Sequence, residues 1–304
     1  MYFLPDKNKK NTTGRRMDKK EIKSIAADYI KNSNDNYINE KYAISKKLIG
    51  TKIFNIPIFS FGSADDELFK KLKEPSVIGE HFLLPKEWLT NAKTVISFFL
   101  PFSKQVRESN YHDQKWPSAE WLHARIEGQE LLNKLCSFLK EKIEKENYKS
   151  IVPIFDSRFW SNTNDKKKEL IKNKNQLDPP LFTSNWSERH TAYICGLGTF
   201  GLSKGLITKK GIAGRFGSIV TEKYFRPDKR KYDMVSEYCS RCGECAKQCP
   251  VNAISLQNGK NHFICSDFLK ITRSKYSPRY GCGKCQVNVP CENKIPVKSL
   301  KEST

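Results

Sequence analysis

Apolar residues at helical spacing mark three helices along the chain. Ile22, Ile25, Ala26, Tyr29 and Ile30 recur at three- and four-residue intervals, predicting an amphipathic helix over 18–31. Ser118 stands as an N-cap after Pro117, ahead of a stripe of Leu122, Ile126, Leu132, Leu135, Phe138, Leu139 and Ile143 that runs to Lys145. A shorter helix is expected from Ser187 to Cys195, closed by Gly196. Runs rich in β-branched and aromatic residues predict strands over 51–60, 93–100 and 150–155. The middle run, KTVISFFL, is apolar enough to be buried on both faces and stops at Pro101. Ser63 reads as the N-cap of a further helix with acids in its first turn. Lys209-Lys210-Gly211 reads as a turn between two strands, and Arg226–Lys231 as a basic linker.

The polar stretches divide the chain. Residues 1–17 form a basic tail, expected to be disordered, with Met17 as an alternative start. Residues 18–230 form an α/β body, interrupted by a Lys/Asn-rich insertion at 161–180 that ends in Pro179-Pro180. Residues 231–304 form a cysteine-rich second domain.

Composition narrows the class. With 304 residues, 38% apolar and 29% charged, the chain can bury a sizeable core and does not read as disordered. Its longest apolar stretch, Thr94 to Phe102, is too short to cross a membrane, and the basic N-terminus has no apolar run behind it. A cytoplasmic location is expected, with no membrane partner. The net charge of +21 reads either as attraction to nucleic acid, an anionic cofactor or an acidic protein, or as lysine-rich coding bias.

Eight of the ten cysteines lie between Cys239 and Cys291. In a reducing compartment such a cluster binds metal or does redox chemistry rather than forming disulfides. Cys239-x-x-Cys242-x-x-Cys245-x-x-x-Cys249-Pro250 has the spacing of a two-cluster iron–sulfur protein, whose fourth cysteine ligates the other cluster. The crossed arrangement assigns Cys239, Cys242, Cys245 and Cys291 to one [4Fe-4S] cluster. It assigns Cys249, Cys265, Cys282 and Cys285 to a second. Zinc is the competing reading of paired CxxC motifs, though four cysteines packed as closely as 239–249 are unusual for it. Cys136, within a helical stripe, reads as a buried structural thiol. Cys195, beside a glycine loop, reads as structural or reactive. His81, His112, His123 and His262 read as ordinary residues, whereas His190 stands out by its neighbours.

Gly196, Gly198 and Gly201 match the spacing G-x-G-x-x-G. A helix before them and a strand after them reverse the order that a dinucleotide site requires. These glycines read instead as letting backbone pass close to a flat or bulky ligand.

The stretch SNWSERHTAYICGLGTFGLSKGLIT (184–208), with GRFGSIVT (214–221) and the two-cluster cysteine segment, resembles the epoxyqueuosine reductase family and its reductive dehalogenase relatives. The likeness covers roughly residues 90–295, its specific parts being 184–221 and the first cysteine run. It implies an α+β protein: a nitroreductase-like α/β cobalamin-binding domain followed by a bacterial two-[4Fe-4S] ferredoxin-like module. It implies clusters that pass single electrons to cobalt, oxygen removal from an epoxide on a modified tRNA base, and an Asp as proton donor. Asp156 is the position matching that Asp, at the end of the strand expected at 150–155. It reads as an acid with a raised pKa or as a solvated loop carboxylate beside Arg158. Glu188 and Arg189 match the family's Glu-Arg pair or form a helix-start salt bridge. With His190 and the three glycines they make the expected corrinoid loop. Cys285 and Cys291 are separated by five residues where the tRNA enzyme has three, and only 13 residues follow Cys291. Both features suit a side branch of the family.

Three functions follow. The first is a corrinoid-dependent oxidoreductase fed by a low-potential donor such as a flavodoxin or ferredoxin, with tRNA as a partner. The second is a ferredoxin-type electron carrier serving another enzyme. Residues 221–304 carry 16 basic and 8 acidic residues, unlike the acidic surface of simple ferredoxins. The third is an RNA-binding module with structural clusters, whose affinity would fall steeply with salt.

Overall fold

The computed structural model describes residues 17–162 and 182–297. The expected basic tail, apart from Met17, and nearly all of the 161–180 insertion lie outside the described residues.

A four-stranded sheet forms the centre, in the order β1(Ile58–Ser63), β2(Thr94–Pro101), β6(Gly214–Thr221) and β3(Ser150–Ile151), every neighbouring pair antiparallel. All eight residues of β2 are buried, as its composition demands of a central strand. Side chains alternate across it. Ile96, Phe98 and Leu100 face the cluster built with α1(Lys19–Asn32) and α5(Ala119–Glu144), and Val95 faces the opposite layer. That opposite layer contains α2(Glu67–Lys71), α3(Pro85–Trp88) and α6(Glu188–Cys195), with Phe69, Phe82 and Trp88 around Trp186. The short helix α4(Lys104–Ser109) leads from β2 toward α5.

The ends of the elements follow local chemistry. Ser118 caps α5 by accepting from Trp121 N, Asp18 caps α1, and Gly196 closes α6 at φ 99°. Four expectations are corrected. The strand placed at 51–60 begins only at Ile58, just past Pro57, which has no N–H to donate, and it runs on through Ser63. Asp66, not Ser63, therefore caps the next helix, its Oδ1 accepting from Leu68 N at 3.0 Å. The strand placed at 150–155 lasts two residues, because Pro153 opens a 3₁₀ turn over Pro153–Phe155. The turn at 209–211 forms, but its two flanking strands part. β5(Leu206–Thr208) pairs with β4(Gly198–Phe200), while β6 joins the central sheet.

β1 is an edge strand, and the basic linker covers its middle. Asp228 N donates to Phe61 O at 2.7 Å, Phe61 N donates to Asp228 Oδ2 at 3.0 Å, and Lys19 pairs with the same carboxylate at 2.6 Å.

The cysteine segment, 233–297, has little regular structure: α7(Glu244–Lys247), the hairpin β7(Ile254–Ser255) and β8(Gly259–Lys260), and α8(His262–Tyr276). It docks on the body at two close approaches. Gly283, at φ 74°, lies so near the Trp121 ring that a Cβ would fall 2.0 Å from it. Gly211 lies as near Glu292, whose carbonyl a Cβ would meet at 2.2 Å. Glu292 is itself buried, paired with Arg107 and accepting from the Tyr111 hydroxyl at 2.6 Å.

Candidate functional site

Tight turns bring the cysteines together. Arg241 at φ 52° and Gly243 at φ 82° bend the chain between Cys239 and Cys245, and Cys249 N then donates to Ala246 O at 3.1 Å. The body delivers the last cysteine, because Ile212 N donates to Cys291 O at 2.9 Å. Cys239, Cys242, Cys245 and Cys291 surround one cavity together with Leu202, Ile207, Ile212 and Val289. Cys249, Cys265, Cys282 and Cys285 line a second, of about 160 Å³, together with Phe102, Trp121, Arg125, Arg215 and Lys260. Each cavity thus gathers four of the eight thiols.

Burial pushes the thiols of Cys245, Cys282 and Cys291 up to about 12, and it raises that of Cys285. Neighbouring thiols reinforce this, so each quartet is a poor place for bare thiolates and a suitable one for thiolates neutralised by metal. Among the described residues no three His, Cys, Asp or Glu side chains converge on a single metal ion. Zinc would require thiolates at about 2.3 Å from one centre. A cubane takes one thiolate at each iron, and quartets ringing cavities fit that arrangement. Lys284 supplies a further sign. Its side chain is 2% exposed, yet its Nζ donates only to neutral groups, Asn110 O at 2.7 Å and Asn110 Oδ1 at 3.3 Å. The nearest charges acting on it are the Cys282 thiol and the Asp113 carboxylate.

One family comparison agrees with this chemistry. Residues 233–255 match the 4Fe-4S binding domain family. The 4Fe-4S segment is accompanied by a likeness to an epoxyqueuosine reductase of Listeria monocytogenes, 29% identical over 130 residues. That alignment covers 40% of this chain and 32% of the relative, so the chain spans about a third of the length of the curated relative it matches. Among solved structures, the epoxyqueuosine reductase of Streptococcus thermophilus gives a TM-score of 0.46 at 19% identity, covering 77% of this chain and 62% of that one. A reductive dehalogenase described in terms of B12-dependent dehalogenation gives 0.49 at 14% identity, covering 79% and 30%.

Beside the 4Fe-4S segment lies the first turn of α6. The Glu188 carboxylate is buried with neither oxygen hydrogen-bonded. Trp186 and Ser218 are its polar neighbours, but they bond to each other, Nε1 to Oγ at 3.0 Å. Burial raises Glu188 to about 7. Arg189, the next residue, is exposed to solvent. Its guanidinium donates to Lys204 O at 2.5 Å, and it lies close enough to Cys285 and Lys260 to feel their charge. Glu188 and Arg189 do not pair with each other, so the helix-start salt bridge is absent. His190 is pushed down to about 4 by burial and by Arg189, and its ring shares a hydrogen bond with Ser187 Oγ at 2.7 Å.

The structure corrects two of the sequence readings here. The glycines are explained by contacts of the chain with itself. Gly196 is the helix cap, a Cβ on Gly198 would fall 2.0 Å from Ile207 O, and Gly201 packs on the Ile207 side chain. Asp156 follows a 3₁₀ turn at the margin of an antiparallel sheet, so the rule for ligands at the ends of parallel strands does not reach it. Arg158 grips it with Nε–Oδ1 at 2.8 Å and Nη2–Oδ2 at 3.0 Å, and this holds its carboxyl below the usual range. A raised acid is therefore not found at Asp156.

Cys136 and Cys195 are both fully buried. Cys136 packs against Gly217, and Cys195 against Gly62 on β1. Burial raises both thiols, so Cys195 is structural. Sequence reasoning missed Lys260, Lys284, Arg125 and Arg215. Lone basic residues in a lysine-rich chain carry no pattern that would have singled them out.

Proposed function

We propose that the chain is an iron–sulfur reductase of the epoxyqueuosine reductase type. In this reading the two quartets hold [4Fe-4S] clusters and feed electrons to a corrinoid bound beside the start of α6. The observation that supports it is the pairing of two thiol quartets, with Arg189 at the start of α6 close enough to Cys285 of the second to feel its charge. A corrinoid, when bound, supplies a strongly reducing cobalt centre able to remove oxygen or halogen from carbon. With the glycine loop closed by protein contacts, Arg189 and His190 are the residues left to hold it, with Glu188 beneath them. A modified tRNA base is the proposed substrate class, and the net charge of +21 suits a polyanion. A low-potential flavodoxin or ferredoxin is the proposed donor. Asp156 is the proposed proton donor, and delivery requires its pair with Arg158 to open.

The test is anaerobic reconstitution of the clusters, addition of hydroxocobalamin, reduction to the cob(II) state, and visible and EPR spectroscopy. Saturable binding with loss of the lower axial base is the expected result. No binding at tens of micromolar cobalamin would sink the reductase reading. The closed glycine loop would then favour the second reading, an electron-transfer protein serving a partner enzyme.

A further inference from the structure

The two cysteine cavities differ sharply in the charge of their walls. Leu202, Ile207, Ile212 and Val289 line the first, and its one cation among the described residues, Arg241, is exposed and donates to Leu256 O at 2.7 Å. The second is walled by Arg125, Arg215 and Lys260, and Lys284 is buried beside Cys282. None of these four cations has a carboxylate partner among the described residues. Arg215 Nη2 donates to Arg125 O at 2.8 Å, and the Nε atoms of both arginines are buried without a partner. Arg125 lies 4.3 Å over the Tyr280 ring. Lys260 lies beside the Cys265 and Cys285 thiols.

Four buried or half-buried cations with no carboxylate in salt-bridge contact among the described residues, Asp113 acting on Lys284 only at longer range, are costly in a protein interior unless an anion sits among them. A cluster with four thiolates is such an anion, and it becomes more negative on reduction. Fixed positive charge close by therefore favours the reduced form and raises the reduction potential. The exposed Cys242 works in the opposite sense, since water also stabilises the reduced form of the first cluster. Four fixed cations outweigh one solvent-facing ligand.

We propose that Lys260, Lys284, Arg125 and Arg215 set the potential of the cluster in the second quartet above that of the first, making the second the site where an entering electron settles. The inference rests on the reading of both quartets as [4Fe-4S] sites. The step is a one-electron exchange: a low-potential donor reduces the first site, which is reoxidised as the second is reduced. No bond or proton changes place.

EPR-monitored potentiometry of the full chain, reconstituted anaerobically and reduced stepwise with dithionite, tests this. Iron and sulfide are counted first. About eight of each per chain are expected for two cubanes. Fewer, or zinc instead, would overturn the underlying reading and the proposal together. With both clusters present, two separate one-electron steps are expected. Lys260→Gln and Arg125→Gln should each move the more positive step to lower potential and leave the other in place. Coincident steps in the wild type, a shift confined to the more negative step, or no shift in either variant would overturn the proposal while leaving the two-cluster reading intact. Lys260, on the wall of the cavity, is the less disruptive site to change. Lys284→Gln, at a buried position, is read only if its iron content matches the wild type.

Discussion

The body and the cysteine segment are held together by different physics. The body buries a continuous apolar core on both faces of its sheet, from Ile22 and Leu135 on one side to Trp186 and Val220 on the other. The segment buries few apolar side chains of its own, chiefly Ala253, Ile254, Phe268, Val287 and Val289, and leaves Met234, Val235, Phe263, Ile264 and Ile271 exposed. A stretch of this length with so small a core depends on cross-links or metal for its order. One chain thus combines a region whose shape follows from hydrophobic pattern with a region whose shape follows from thiol placement.

Removing the iron should separate the two most strongly. After anaerobic chelation, amide exchange over 233–297 should rise toward the unfolded rate while β2 and α5 stay protected. A segment that stays protected without metal would erase the contrast. Phe98→Ala is the reciprocal experiment. Phe98 is fully buried, and its truncation should cost the body about 3–5 kcal/mol in denaturant unfolding, with or without iron.

A pH experiment sharpens the comparison within the body. The folded state raises Glu188 to about 7 from an ordinary 4.5, so it holds a proton that the unfolded chain has released between those values. Glu188 is therefore harmless to stability below the lower value, and it destabilises progressively as pH rises through the upper one. Glu188→Gln should abolish that slope and make the body more stable than wild type at pH 8, by up to roughly 3 kcal/mol. Parallel stability–pH curves for the two proteins would show that the carboxyl is solvated. The smallest effect is expected at Asp156. Its pair with Arg158 lies at the surface, with side chains 19% and 47% exposed, so Asp156→Asn should change stability by less than about 1 kcal/mol. A larger loss of turnover than of stability would mark a chemical role.

The parts of the fold legible in the sequence are those where pattern and packing coincide. The stripe from Leu122 to Ile143 and the unbroken apolar run of β2 each have one sensible environment. The parts that misled did so for local reasons. Pro57 and Pro153 cut strands that composition favoured, and Gly198 met β5 where spacing suggested a ligand. Of the site, the cysteines were visible because iron–sulfur ligation fixes their spacing along the chain. The cation wall was not, because Arg125, Arg215, Lys260 and Lys284 come from four separate stretches and meet only after folding.

The clamp on Glu292 carries a consequence for biosynthesis. Three thiols of the first quartet are near neighbours in the chain, but Cys291 is held in place by Ile212, and the residue after it by Arg107 and Tyr111. A newly made chain can offer three ligands as soon as residues 239–245 emerge. It can offer the fourth in its final position only once β6 and α4 are in place. In the proposed assignment of Cys291 to the first cluster, completion of that site would be a checkpoint on maturation: a body that failed to fold would leave iron with an open corner, exposed to oxygen and to loss.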